Sequence, residues 1–155
     1  MTGLDTFLHR EAVMIECCAD SKKQLLEMIG TKAEKILGLS ANDVRRVLTE
    51  RERLGSTGLG NGIAIPHGKL PELTGVLGLF IRLTKPVEFD AVDDKPVDII
   101  CVLLAPESSG SEHLKALSRM ARALRNDEIT SRIRATNDVN EIYTALLSEE
   151  QSQAA

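Results

Sequence analysis

Two near-continuous apolar segments constrain this 155-residue chain more than any other feature. One runs over residues 76–81 and the other over residues 99–104. Strands without polar alternation are covered on both faces, as in sheets that lie between layers of helices. Segments of helical periodicity precede, separate and follow them. The sequence therefore predicts an α/β fold, a single-domain sandwich with a mixed central β-sheet flanked by helices on both faces.

Helices are predicted from apolar spacing and from residues that cap helix ends. The first opens at Ser21, where Gln24 completes a capping box, and it stops at Gly38. The third predicted helix opens with a capping box formed by Ser109 and Glu112. The core face of this third helix is predicted to consist of Leu114, Leu117, Ala121 and Leu124. The other helices are predicted over residues 40–54, 129–134 and 138–147.

Short strands and the domain limits complete the predicted organisation. A first strand is expected at 13–15, and a short extended piece at 87–89 lies between the two main strands. The chain is long enough for one domain with a substantial core and too short for two ordinary ones. We expect one domain over residues 1–150 and a disordered C-terminal tail over residues 151–155.

Charge and composition exclude several classes of protein. The formal net charge of −4 argues against a nucleic-acid binder, which usually carries a basic stripe. No apolar run approaches the ~20 residues that span a membrane, and no secretory signal is apparent, so we expect no membrane insertion and a cytoplasmic location. Cys17, Cys18 and Cys101 cannot pair completely and lack metal-ligand spacing, which predicts reduced thiols and no metal.

A glycine-rich segment over residues 55–69 reads Gly-Ser-Thr-Gly-Leu-Gly-Asn-Gly-Ile-Ala-Ile-Pro-His-Gly-Lys. Free amides in such a segment can bind an anion. The P-loop pattern fails because Leu70 follows Lys69, and the dinucleotide fingerprint fails because no predicted strand precedes the glycines. On glycine content alone, a flexible connection between helix and strand is the alternative.

Three polar residues lie where an anion could bind. His67 follows the short segment 63–65, and the ends of strands in open α/β sheets are where ligands bind. Its imidazole is nucleophilic near neutral pH. His113 falls in the first turn of a predicted helix, where free amides favour an anion, or it is simply an exposed residue. Arg51 extends the apolar stripe of the helix predicted over residues 40–54. Its guanidinium therefore either binds phosphate oxygens or reaches water from the end of that helix.

The motifs around these residues have a recognisable spacing. Arg51-Glu52, Gly55-Ser56-Thr57-Gly58 and Gly62-Ile63-Ala64-Ile65-Pro66-His67-Gly68 resemble the enzyme IIA domain of the fructose–mannitol class, EIIA type 2, in the bacterial phosphotransferase system. Ser21-Lys22-Lys23 and the single domain resemble the nitrogen-regulatory branch. The resemblance extends over nearly the whole chain, through Phe89-Asp90, Pro96-Val97-Asp98 and His113-Leu114.

The resemblance implies a phosphohistidine relay with no cofactor and no metal. His67 is expected to accept a phosphoryl group from an HPr-like phosphocarrier, which an enzyme I charges from phosphoenolpyruvate. Arg51 and His113 match the family's active-site arginine and second histidine, and we expect both to neutralise the phosphoryl oxygens. Ser56 and Thr57 are expected to contribute to substrate binding.

The branch implies a regulator rather than a transport enzyme. We expect a phosphotransferase component that signals through its phosphorylation state to proteins such as potassium transporters or sensor kinases. A sugar-transport enzyme IIA that passes phosphate to a IIB domain is the alternative, although we expect no fused IIB domain. A third possibility is a binding module that has lost the ability to transfer a phosphoryl group.

Overall fold

The computed structural model describes residues 3–108 and 110–154, with side chains up to residue 149. Over these residues it confirms the predicted α/β fold, with five helices and a mixed sheet of six strands. The helices are α1 (Lys22–Leu37), α2 (Ala41–Arg53), α3 (Ser111–Arg125), α4 (Asp127–Ala135) and α5 (Val139–Ala154). The strands are β1 (Val13–Cys17), β2 (Gly58–Gly60), β3 (Ile63–Ala64), β4 (His67–Lys69), β5 (Leu77–Val87) and β6 (Val97–Ala105).

Strand β6 lies at the centre of the sheet. It pairs antiparallel with β5 on one side and parallel with β3 and β4 on the other, while β1 and β2 form the edges. All of its residues except the half-buried Asp98 are buried, which requires cover on both faces. Helices α1 and α2 pack on each other, and α3, α4 and α5 form a second group. The two apolar segments of the sequence are thus the two central strands.

The ends of α1 and α2 follow directly from their sequences. The Ser21 side chain accepts a hydrogen bond from the Gln24 amide at 3.1 Å, and Ser40 accepts one from the Asp43 amide at 3.3 Å. Gly38 ends α1 in the left-handed conformation, with φ of 73°. These predicted helix boundaries are confirmed.

The glycine-rich segment is a set of short strands rather than a flexible connection. Asn61 and Gly62 both have positive φ, 57° and 80°, and they join β2 to β3. Two central residues with positive φ are what a type I′ hairpin turn requires, and Asn-Gly is its preferred sequence. The hairpin was therefore readable from the sequence and was missed.

His67 was predicted at the end of a strand, but it begins β4. Ala64 pairs with Ile100 and His67 pairs with Leu103, so β3 and β4 follow β6 in one register. Pro66 interrupts the ladder because it has no amide hydrogen, although its carbonyl accepts from the Leu103 amide at 3.0 Å. The strand therefore resumes at the histidine.

The inward face of α3 differs from the predicted one. His113 is buried and Leu114 is 67% exposed, which is the reverse of the expected burial. Successive residues of a helix point about 100° apart, so an inward His113 directs Leu114 outward. The predicted cap Ser109 lies outside the described residues, and Gly110 precedes the helix. The buried residues of α3 are His113, Ala116, Met120, Ala123 and Leu124.

Two further elements differ in extent from their predictions. The piece expected at 87–89 is not separate, because Val87 ends the long strand β5. Helix α5 extends beyond the predicted end at residue 147. The division of the chain at residue 150 stays a prediction.

Over residues 3–108 and 110–154, none of the helices combines the length and apolarity that crossing a bilayer demands.

We expect Gly62→Ala to lower the free energy of unfolding by about 1–3 kcal/mol. An added Cβ would lie 2.6 Å from Arg134 Nη2 and 2.8 Å from Asp98 Oδ1, at a φ of +80°. These two side chains form a 2.9 Å ion pair that ties α4 to β6, and Arg134 Nη2 also donates to the Asn61 carbonyl of the hairpin at 2.7 Å. Urea unfolding measures the effect. In the control Gly75→Ala the new Cβ has no atom within 4 Å, so stability should change by less than about 0.5 kcal/mol; equal losses would contradict the prediction.

Candidate active site

Three elements bring the predicted catalytic residues together. His67 begins β4, Arg51 lies in the last turn of α2, and His113 lies in the first turn of α3. All three line one open cleft of ≈ 580 Å³. Residues distant in sequence therefore meet at one end of the sheet, as ligand sites in open α/β folds do.

The hydrogen bonds of His67 define which ring nitrogen can react. Its Nδ1 lies 2.9 Å from the Ile65 carbonyl oxygen, which can only accept, so Nδ1 carries the proton. The other nitrogen, Nε2, then has a free lone pair and accepts from Arg51 Nε at 3.3 Å. His67 is therefore held as a neutral imidazole whose nucleophilic atom is Nε2.

Arg51 is anchored to the glycine-rich segment as well as to the histidine. Its Nη1 donates to the Gly55 carbonyl at 3.0 Å. Its Nη2 has no hydrogen bond to the part of the chain that is described. The guanidinium thus faces His67 and keeps Nη2 free to donate. The sequence left two orientations of Arg51 open, toward a phosphate site or toward water, and in the structure the side chain points toward the cleft.

His113 is 7% exposed, so the alternative of an exposed first-turn histidine is wrong. Its ring centroid lies 5.4 Å from that of His67. Its Nδ1 is buried and makes no hydrogen bond with the described residues. A buried N–H without an acceptor is costly, whereas a bare lone pair costs less, which favours the tautomer with the proton on Nε2.

Both histidines are neutral near pH 7. Burial lowers the pKa of His113 to about 4, with the neighbouring His67 and Lys69 acting in the same direction. Burial also lowers the pKa of His67, Arg51 adds to this effect, and the hydrogen bond to Ile65 opposes it. The sequence analysis expected both Arg51 and His113 to neutralise phosphoryl charge. In the structure Arg51 is the cation, and His113 is a neutral hydrogen-bond donor.

Ser56 and Thr57 have partners within the protein. Ser56 Oγ donates to the Phe89 carbonyl at 2.8 Å and accepts from the Gly58 amide at 3.0 Å. Thr57 is buried and its hydroxyl donates to the carboxylate of Glu52. These bonds hold the shape of the segment, and the substrate-binding role of the two hydroxyls stays a prediction.

Glu52 is a site residue that sequence reasoning missed. Its carboxylate is 5% exposed, lies 2.9 Å from Lys22 Nζ and accepts from the Thr57 amide at 3.1 Å. The ammonium of Lys22 also lies over the Phe89 ring, 4.4 Å from its centroid. Glu52 follows Leu48 by four residues on the buried stripe of α2, which was the available signal. A carboxylate on such a stripe needs a buried partner.

Exposed leucines lie beside the cleft. Leu54, 84% exposed, lines it, and Leu114, 67% exposed, follows His113 on α3. Leu59, in the edge strand β2, is 36% exposed. Apolar side chains beside a polar cleft are typical of a surface on which another protein docks.

Within the described residues no three His, Cys, Asp or Glu side chains are grouped so as to hold a metal ion.

We expect His113→Gln to flatten the pH dependence of stability between about pH 4 and pH 6.5. The unfolded chain takes up the His113 proton near pH 6.5, but the folded protein does so only near 4. Stability therefore falls as the pH falls through this window, by up to about 3 kcal/mol from this residue. Urea unfolding at a series of pH values measures it. The exposed His9→Gln is the control, and an unchanged slope in His113→Gln would refute the shift.

Comparisons with known proteins show the family to which this chain belongs. The chain matches the family "Phosphoenolpyruvate-dependent sugar phosphotransferase system, EIIA 2" over residues 6–149. It is 46% identical over 136 residues to a nitrogen regulatory protein of Bradyrhizobium diazoefficiens, covering 88% of this chain and 89% of that protein. It is 41% identical over 148 residues to that of Escherichia coli, covering 95% of this chain and 91% of the other.

Solved structures show the same fold. The crystal structure of nitrogen regulatory protein IIA-Ntr from Neisseria meningitidis has a TM-score of 0.87 and 38% identity, covering 92% of this chain and 98% of that one. IIA mannitol from Escherichia coli has a TM-score of 0.75 at 22% identity, covering 88% of this chain and 96% of the other, and shares the fold. Because the family match covers nearly all of the sequence, this chain belongs to the EIIA type-2 family of the phosphoenolpyruvate-dependent sugar phosphotransferase system, and the relatives it resembles include nitrogen regulatory proteins.

Proposed function

We propose that this protein is a regulatory phosphocarrier that accepts a phosphoryl group on His67 Nε2 from an HPr-like carrier. The observation that carries the proposal is the state of the His67 ring. Its Nδ1–H is held by the Ile65 carbonyl, and its Nε2 faces the guanidinium of Arg51 in an open cleft. A neutral imidazole with one fixed proton is a nucleophile that needs no general base.

In the transfer step, the lone pair of Nε2 attacks the phosphorus of the carrier's phosphohistidine. The bond between that phosphorus and the carrier's ring nitrogen breaks, and the electron pair returns to the carrier's imidazole. The carrier's ring is protonated on its other nitrogen, so it leaves as a neutral imidazole. His67 then carries the phosphoryl group on Nε2 and its proton on Nδ1, where the Ile65 carbonyl stabilises the positive ring.

The neighbours of His67 stabilise the phosphoryl oxygens. In the free protein Arg51 Nε occupies the lone pair of Nε2, so transfer requires the guanidinium to exchange this bond for phosphoryl oxygens. Its unused Nη2 adds a second donor, and two parallel donors suit a phosphoryl group. His113 contributes a neutral Nε2–H. Positioning and charge stabilisation of this kind are most of what phosphoryl transfer asks of a protein.

The regulatory part of the proposal rests on similarity to nitrogen regulatory proteins. Regulated proteins such as potassium transporters or sensor kinases, and a cytoplasmic location, belong to this proposal. The phosphorylation state of His67 would be the signal, since it replaces the lone pair at the cleft by a dianionic group. Passing the phosphoryl group on to a sugar-specific IIB domain is the alternative.

The decisive experiment is incubation with enzyme I, phosphoenolpyruvate and the cognate phosphocarrier, followed by intact-mass analysis. We expect one acid-labile phosphate on the wild type and none on His67→Ala. Arg51→Ala and His113→Ala should be labelled roughly tenfold to a hundredfold more slowly, because each removes the hydrogen-bond donors of one side chain from the transition state. His9→Ala, far from the cleft in sequence and exposed, should behave as wild type.

Labelling of His67→Ala as fast as wild type would overturn the site. Unchanged rates in Arg51→Ala and His113→Ala would remove those residues from the mechanism. Adding a sugar-specific IIB domain to the labelled protein tests the alternative, and efficient loss of the phosphate to that domain would defeat the regulatory proposal.

We expect the carrier to dock on the exposed leucines beside the cleft. Leu54→Ala and Leu114→Ala should each raise KM for the phosphorylated carrier roughly fivefold with little change in kcat, because partial burial of a leucine is worth about 1 kcal/mol. Steady-state labelling at varied carrier concentration measures this. Val92→Ala is the matched control, since Val92 is 77% exposed but lies beside Gly58 and Gly60 of the edge strand β2, whereas Leu114 directly follows the cleft residue His113. A fall in kcat alone would argue against docking.

A further inference from the structure

Helices α1 and α2 enclose a second depression, of ≈ 540 Å³, that shares none of its lining residues with the cleft. We call it the α1–α2 groove. Helix α2 separates the two, since it turns Arg45 and Arg53 toward the groove and Arg46 and Glu50 toward the cleft. The part of the groove that concerns us is formed by Lys23, Leu26, Glu27, Arg45, Thr49 and Arg53.

Three cations of this groove are unpaired. Lys23, Arg45 and Arg53 are exposed, and their side chains form no ion pair or hydrogen bond within residues 3–108 and 110–149. Their neighbours differ, because Lys22 is paired with Glu52 and Arg46 lies within 4 Å of two carboxylates. The whole chain carries a net charge of −4, so this positive surface is a local concentration of charge.

The position of Lys23 also opposes the stability of α1. It lies in the first turn of the helix, which has no acidic residue. A cation near the N-terminus of a helix is unfavourable by some tenths of a kcal/mol. Lys22 is compensated by the buried Glu52, whereas Lys23 has no compensating contact. Residues that break a local rule without a structural gain point to function.

We propose that the α1–α2 groove docks an acidic segment of a partner protein. Carboxylates of the segment would pair with Lys23, Arg45 and Arg53, and an apolar residue between them would lie over Leu26, which is 5% exposed and forms the floor. The inference goes beyond phosphoryl transfer and does not depend on it. Because the groove and the cleft have separate linings, the segment and the phosphocarrier can bind at the same time.

A protein segment fits the groove better than a nucleic acid does. Glu27 lies among the cations, and its carboxylate would repel an unbroken row of phosphates. A peptide can place an apolar or basic residue at that point and keep its carboxylates for the cations. Complementary charge of this kind contributes specificity and association rate.

The test uses the full chain and a blocked peptide of three Glu-Glu-Leu repeats, titrated into ¹⁵N-labelled protein at low salt. We expect amide shifts in the first turns of α1 and along α2 at residues 45–53. The triple variant Lys23→Glu, Arg45→Glu, Arg53→Glu should bind at least about tenfold more weakly, which is about 1.4 kcal/mol. The matched control reverses three exposed cations elsewhere, Lys85→Glu, Lys115→Glu and Arg132→Glu, and should bind like wild type.

The inference is wrong if the amide shifts centre on His67 or spread over all basic residues. It is also wrong if the peptide does not bind, or if the control triple weakens binding as much as the groove triple does. Tighter binding of a single-stranded RNA than of the peptide would assign the groove to nucleic acid instead. The groove triple should retain wild-type labelling of His67, so failure of phosphoryl transfer and failure of peptide binding are distinguishable.

Discussion

The parallel pairing of β4 with β6 is the interaction on which the site depends. It places His67 beside Leu103, near the end of the central strand. The chain leaving β6 then leads to α3, whose first turn carries His113. One histidine therefore pairs with the central strand and the other opens the helix that follows it, and their ring centroids lie 5.4 Å apart. Pro66 contributes by ending one ladder segment so that the next begins at the histidine.

The buried ion pair of Lys22 and Glu52 then holds the other half of the site. Burying a carboxylate is favourable only when its partners replace water, and here an ammonium, an amide and a hydroxyl do so. Through them, the start of α1, the end of α2 and the glycine-rich segment are joined at one point. Arg51, one residue before Glu52, is thereby kept in the orientation in which it reaches His67.

Much of this could be predicted from the sequence, for physical reasons. Caps such as Ser21 and Gly38 act within a few residues, and the buried strands show as apolar runs, so both are local signals. The rotation of α3 could not be read, since apolar residues lie on both candidate faces and the packing of the whole helix decides between them. The partner of Glu52 could not be read either, because Lys22 lies thirty residues earlier in the chain. His67, Arg51 and His113 were predicted as the site, but their proximity and the neutrality of His113 depend on tertiary burial.

The hydrogen bond from His67 Nδ1 to the Ile65 carbonyl has a consequence for the pH dependence of the proposed phosphoryl transfer. If that proton stays in place throughout, the transfer exchanges none with solvent. The equilibrium between carrier and acceptor then does not shift with pH near neutrality, and it is set by how well each protein stabilises its own phosphohistidine. A backbone carbonyl, which cannot titrate, would thus make the occupancy of the site report the supply of phosphoryl groups and not the acidity of the cell.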